Sequence, residues 1–152
     1  MSLFSFLKDA GEKILDSLAP EKAEANGEAL TKHVKDVLKD DSNIDISNVQ
    51  VKVDGDKVTV SGAAKSQEEK EKILLVLGNV SGISSVDDQI TVTGPVVVAA
   101  KFVVVEKGDT LSTISKRVYG DSSKYQKIFG ANRPMLKDPN KIYPGQSLRI
   151  PE

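Results

Sequence analysis

The chain has 152 residues, room for one ordinary domain or two small ones, with no cysteine and a single histidine. Without cysteine there is no disulfide, no thiolate metal site and no thiol nucleophile, and domains of about 50–70 residues must rest on modest cores, a ligand or a neighbour. The formal net charge of −1 conceals a division: residues 1–94 carry 11 Lys and no Arg against 17 acids, a net of −6, whereas residues 95–152 carry 10 Lys and Arg against 5 acids, a net of +5. Such halves attract at moderate salt, which favours a closed arrangement, although two independently solvated surfaces account for the same charges. The basic half scatters its cations rather than grouping them beside stacking aromatics, which argues against a nucleic-acid partner.

In chain order, Leu3, Leu7, Ala10, Ile14 and Leu18 recur at helical spacing, with Lys8, Asp9, Glu12, Lys13 and Asp16 on the other face. Residues 1–27 therefore read as a short amphipathic helix ending near Pro20, followed by a polar connector over 21–27. Mixed charge and small size favour docking onto the protein itself over a membrane. The opening apolar stretch is too short for an export signal and has no early positive side chain; later, Val96-Val97-Val98-Ala99-Ala100 stops at Lys101. A cytoplasmic protein without a membrane span is the expectation.

Ala29, Leu30, Val34, Val37 and Leu38 mark a helix over 28–39. Val49, Val51 and Val53, then Val58 and Val60, alternate with polar residues across the turn Asp54-Gly55-Asp56, the pattern of a hairpin. Ser66 with Glu69 forms a capping-box signature opening a helix through Ile73, Leu74, Val76 and Leu77 that stops at Gly78. A last strand is expected around 89–92, closed by Gly94-Pro95. The order helix, strand, strand, helix, strand over 28–94 resembles a BON domain, carried by Val51-Lys52-Val53-Asp54-Gly55-Asp56-Lys57-Val58-Thr59-Val60-Ser61-Gly62 and Gly82-Ile83-Ser84-Ser85-Val86.

After an apolar linker over 95–101 comes Phe102-Val103-Val104-Val105, Gly108-Asp109-Thr110-Leu111-Ser112, Tyr119-Gly120, Ala131-Asn132 and Ile142-Tyr143-Pro144-Gly145-Gln146-Ser147-Leu148-Arg149-Ile150-Pro151. Asp109 is placed to N-cap a helix to about Val118, Ser122 or Ser123 another through Phe129, and 148–150 return as a partner strand. A strand, helix, helix, strand unit over 102–152 with this punctuation resembles the LysM fold, a carbohydrate-binding module. The whole chain is thus expected to be α+β, in two small domains. Sugar recognition would fall to Gly108, Asp109, Thr110, Leu111, Lys141, Ile142 and Tyr143, offering backbone amides and an apolar wall to an N-acetyl group. The glycines and Asp109 equally serve as turn and cap residues.

Catalytic chemistry has little to draw on. His33, the single histidine, lies beside Val34 far from any plausible serine nucleophile and reads as a surface or boundary residue; the chain is not expected to be an enzyme. Asp40-Asp41, Asp54 with Asp56, and Asp87-Asp88 lack the spaced carboxylates and closing glutamate of a calcium loop, and read as solvated turns and helix ends. In Leu77-Gly78-Asn79-Val80-Ser81-Gly82-Ile83, a helix end leaves carbonyl oxygens unpaired at the negative end of its dipole, and two glycines allow a tight turn. An ordinary glycine-terminated helix explains the same residues, because backbone ligands leave no side-chain signature.

Over essentially its full length the chain resembles the family of small potassium-binding BON-LysM proteins. The likeness rests on Leu3-Phe4, Phe6 and Lys8-Asp9-Ala10-Gly11-Glu12-Lys13, on Lys70-Glu71-Lys72-Ile73-Leu74, Gly78-Asn79-Val80-Ser81-Gly82-Ile83 and Ser85-Val86-Asp87-Asp88-Gln89, and on Lys127-Ile128-Phe129, Ala131-Asn132 and Pro134-Met135-Leu136-Lys137. The resemblance implies a monomeric, cytoplasmic sensor that binds K+ and compacts, through backbone carbonyls that carry over to Leu7, Ala10, Gly78, Val80, Ile83 and Val86. A downstream protein partner and a peptidoglycan fragment are the further partners it leaves open.

Overall fold

The computed structural model describes residues 2–7, 9–11, 13–15, 20–40, 44–95 and 97–151. The first domain is a four-stranded sheet of order β1-β4-β3-β2, built from β1 (Ser2–Ser5), β2 (Gln50–Asp54), β3 (Lys57–Ala64) and β4 (Ser85–Val92). The expected hairpin forms, with Val51 opposite Val60 and Val53 opposite Val58, around Gly55 at φ 60°. β3 and β4 run parallel, joined by α2 (Gln67–Gly78), and β1 closes the far edge antiparallel to β4, Phe4 opposite Val86.

Among the described residues, the helix expected at the N-terminus is not formed. Ser2–Ser5 is a strand, residues 6–7 and 13–15 are not helical, and Leu18 lies outside the described residues. The inward positions have a period of two: Phe6 is buried and Phe4 half-buried, while Leu3 and Leu7 are 61% and 53% exposed. Strand pairing wins here because β4 would otherwise present an unpaired edge, and the inward-facing aromatics at 4 and 6 reward extended backbone. The connector over 21–27 is also overturned. A 3-10 turn at Pro20–Lys22 leads directly into α1 (Ala23–Leu38), whose Gly27 passes so close to the Val51 carbonyl that a Cβ would lie 3.0 Å from its oxygen.

α1 contributes Leu30, Val34 and Leu38 to the core, one stripe at four-residue spacing. α2 is different: from Glu71 to Gly78 every residue is buried, including the charged Glu71 and Lys72. A helix buried all round is covered on two sides, and here the second cover is the LysM domain.

That domain pairs β5 (Lys101–Val104) antiparallel with β6 (Ser147–Ile150) and packs α3 (Leu111–Tyr119) and α4 (Tyr125–Ala131) around Ile114, Ile128 and Leu148. Asp109 is not the N-cap of α3. Thr110 is, in a reciprocal box with Thr113, and Asp121 rather than Ser122 or Ser123 caps the following 3-10 turn. Phe102 packs on the first domain's core, its ring 5.2 Å from that of Phe4, and Met135 touches both cores.

Candidate metal centre

α2 ends at Gly78, with Asn79 as C-cap donating its amide to the Leu75 carbonyl at 2.9 Å. The chain then turns through Gly82 at φ 98°, a region glycine enters without Cβ strain, and Ile83 N donates to Val80 O at 3.2 Å. Val80, Ile83 and Val86 bury their side chains completely, so the apolar core fixes the backbone between them.

The N-terminal segment lies against this loop. Phe6 N donates to Ser84 O at 2.8 Å, and Ala10 N donates to Leu7 O at 3.1 Å, closing a turn. Gly11, at φ 106°, sits directly over the Asn79 carbonyl: an added Cβ would fall under 3 Å from that oxygen, and one on Gly78 would fall under 3 Å from three carbons of the Phe6 ring. Of the six expected ligand residues, the structure therefore brings the turn carrying Leu7 and Ala10 to the helix end and loop carrying Gly78, Val80 and Ile83. Val86 stands on β4 opposite Phe4. Since Phe6 and Ser84 bond, the antiparallel alternation places Phe4 and Val86 in the next exchanging pair. Leu7, Val80 and Val86 thus each spend one carbonyl lone pair on a hydrogen bond and keep a second.

No group of three or more His, Asp or Glu side chains able to hold a metal occurs among the described residues. A donor set of neutral main-chain oxygens suits a large, weakly hydrated monovalent cation rather than a hard divalent one, which is bound through carboxylates.

In the LysM domain the candidate sugar residues divide into two groups. The Asp109 carboxylate accepts from Glu106 N at 3.0 Å and Thr113 Oγ1 at 3.3 Å and pairs with Arg117 at 3.2 Å; the Glu106 amide, then Arg117, hold it below the usual carboxylate range. With Thr110 capping α3 and Leu111 in the core, the polar atoms of this wall serve the fold. Ile142 is half-buried against the LysM core, whereas Lys141 and Tyr143 line an interdomain cleft of about 650 Å³ with His33 and Asp36 of α1, with Lys39 just after it and with Gln146. Cations that look scattered in the sequence gather over rings: Lys124 and Lys127 over Tyr119, Arg133 over Phe129.

Two buried interdomain residue pairs, Arg149 with Glu71 and Asn79 with Ser147, had no sequence signal. Arg149 donates Nη2 and Nε to Glu71 Oε1 at 2.6 and 3.1 Å, while Glu71 Oε2 accepts from Ala100 N in the linker at 2.9 Å. Asn79 Nδ2 donates to Ser147 O and Ser147 N to Asn79 Oδ1, both at 2.8 Å. Among the described residues, the opposed half-charges meet at a buried ion pair, Arg149 with Glu71, beside a pair of amide bonds.

A sheet of this topology joined to a strand-helix-helix-strand unit defines a two-domain α+β protein: residues 26–94 match the model of the BON domain and residues 103–151 that of the LysM domain. The chain is 49% identical over 152 residues to the potassium binding protein Kbp of Escherichia coli O6:H1, covering 100% of this chain and 99% of that one, and it belongs to that protein's family. Partial likenesses include the osmotically-inducible protein Y of Escherichia coli, 34% identical over 85 residues (56% of this chain, 42% of that one), and an uncharacterized protein of Deinococcus radiodurans, 29% identical over 137 residues (80% and 51%). No helix among the described residues is long and apolar enough to cross a membrane.

Proposed function

We propose that this chain is a non-enzymatic, cytoplasmic potassium sensor that holds K+ in a cage of main-chain oxygens from Leu7, Ala10, Gly78, Val80, Ile83 and Val86. The observation that carries the reading is the seating of the N-terminal turn on the loop after α2, Gly11 over the Asn79 carbonyl and Phe6 against Gly78, in a chain 49% identical to a potassium binding protein. Neutral carbonyls replace part of the ion's water shell, and the buried side chains of Val80, Ile83 and Val86 resist collapse of the cage onto the smaller sodium ion. Binding stitches the N-terminal segment to the BON sheet, and an ion that favours the closed form compacts the monomer. Isothermal titration of the full chain with KCl, and separately with NaCl, tests the reading: saturable heat at about one K+ per chain supports it, and equal traces for the two salts refute it.

A second reading rests on Tyr143. Half-buried in the lining of the interdomain cleft beside Lys141, it is the aromatic residue there that an N-acetylglucosamine oligomer or peptidoglycan fragment would meet. Binding of chitin oligomers lost on Tyr143→Ala would support it.

A further inference from the structure

We infer that Asn79 is the positioning residue that couples the ion loop to the LysM domain, an inference that rests on the potassium reading above. The residue is held on both sides. Its neighbours Gly78 and Val80 supply two of the proposed ligand oxygens, and its own carbonyl lies under Gly11 of the N-terminal segment. Its side-chain amide faces the other way and pairs with both backbone groups of Ser147 at 2.8 Å, with all four atoms buried.

The register of β6 explains why an amide is needed there. Val105 N donates to Gln146 O, so the alternation turns residues 146, 148 and 150 toward β5 and leaves the N–H and C=O of Ser147 and Arg149 on the outer edge. Two asparagines stand in for the missing strand. Asn132, within the LysM domain, accepts from Arg149 N at 2.8 Å and donates to Arg149 O at 2.9 Å; Asn79, from the BON domain, does the same for Ser147. Unmade, each buried backbone group would carry a full desolvation cost.

The circuit closes two residues earlier in the LysM chain. Gly145 packs on the N-terminal turn so tightly that a Cβ would lie 2.5 Å from that of Ala10 and 3.5 Å from Leu7 Cδ1. The N-terminal turn, Asn79, Ser147 and Gly145 thus form one ring of contacts around the proposed ion oxygens. A two-point amide pair tolerates little displacement. Whatever fixes the spacing of the Gly78 and Val80 carbonyls fixes the Asn79 side chain, and with it β6. By reciprocity, docking of the LysM domain must raise potassium affinity by the same factor.

Ser147→Pro and Asn79→Leu break the pair from opposite domains. Proline at 147 removes the donor N–H on the outer edge of β6, where no ladder bond to β5 is lost, and leaves every residue of the ion loop unchanged. Leucine at 79 keeps the main-chain carbonyls and the side-chain volume but not the amide. Each variant, and the double, would be titrated with K+ and Na+ as full chains whose folding is checked by circular dichroism in NaCl; either single variant suffices if the other misfolds. Coupling predicts that each weakens potassium affinity by about 5- to 150-fold, and that the double loses no more than the worse single. Wild-type affinity in a folded variant, or additive losses in the double, overturns the coupling while leaving the ion site standing. A wild-type chain that does not distinguish K+ from Na+ removes the ion reading itself, and the coupling with it.

Discussion

Gly78→Ala keeps the proposed ligand carbonyl and the helical backbone, yet should weaken potassium binding. A Cβ at 78 would stand under 3 Å from Cε1, Cζ and Cδ1 of Phe6, where ordinary carbon contacts lie at about 3.5–4.0 Å. The ring, 7% exposed, is wedged between the helix end and the core and must retreat by more than about half an ångström. Overpacking of this kind costs about 1–3 kcal/mol, and full expulsion of the ring about 3–5 kcal/mol. Alanine at the last helical position returns less than about 1 kcal/mol of helix propensity. Loss of about 1–3 kcal/mol in docking the N-terminal segment translates, where docking closes the cage, into roughly 5- to 150-fold weaker binding. Gly130→Ala in α4 is the matched control, since nothing lies within 4 Å of its Cβ position; it gains propensity without touching the segment. Potassium titration calorimetry, with hydrogen exchange at the Phe6 amide as the readout of docking, checks the prediction. Wild-type potassium affinity in Gly78→Ala, with Phe6 N–H still protected, would refute the reasoning.

Arg149→Met should destabilise the protein by about 3–5 kcal/mol in urea unfolding, because it strands the Glu71 carboxylate, 3% exposed, beside its remaining partners Gln67 Nε2 and Ala100 N. Adding Glu71→Leu should recover much of that loss, and no recovery would mean the pair is not a unit. Asp109→Asn should lower the melting temperature at pH 7 by loosening the loop before α3. With its pKa depressed in the folded state by the Glu106 amide and Arg117, Asp109 stabilises the fold fully above its unfolded value of about 3.9, and that contribution is lost as pH falls through the lower folded value. The gap between the two melting curves should therefore close in strong acid; a constant gap from pH 7 to pH 2 would contradict the assignment.

Where a residue's local preference and its tertiary role agree, the chain could be read directly. Gly55 turns the hairpin, Ser66 accepts from Glu69 N, Gly78 ends α2, and β6 returns after Pro144-Gly145. Even so, the Glu69 side chain does not complete a capping box; it accepts from Asp45 N and Lys65 N, ordering the loop before the hairpin. At the N-terminus the strand is obscured because Leu3, Leu7 and Ala10 also fit a helical period, whereas the alternation of Phe4 and Phe6 against Leu3, Ser5 and Leu7 carries the strand signal. Gly27 hid the first turn of α1, since its low helix propensity is offset by a close approach to Val51 that a larger residue could not make. The proposed ion loop is legible only as a glycine-terminated helix end, since main-chain oxygens leave no mark on residue type. Asn79 and Ser147, 68 residues apart, carry no pattern that links them before the domains are folded together.

The most direct test of the central claim is thermal melting of potassium-free protein titrated with KCl and with NaCl at matched ionic strength, alongside a chain lacking residues 1–10. The account predicts a saturable rise with KCl, about 2.7 kcal/mol of stabilisation at a hundredfold excess over Kd, absent with NaCl and lost without the N-terminal segment. Superimposable KCl and NaCl curves for the full chain would contradict it.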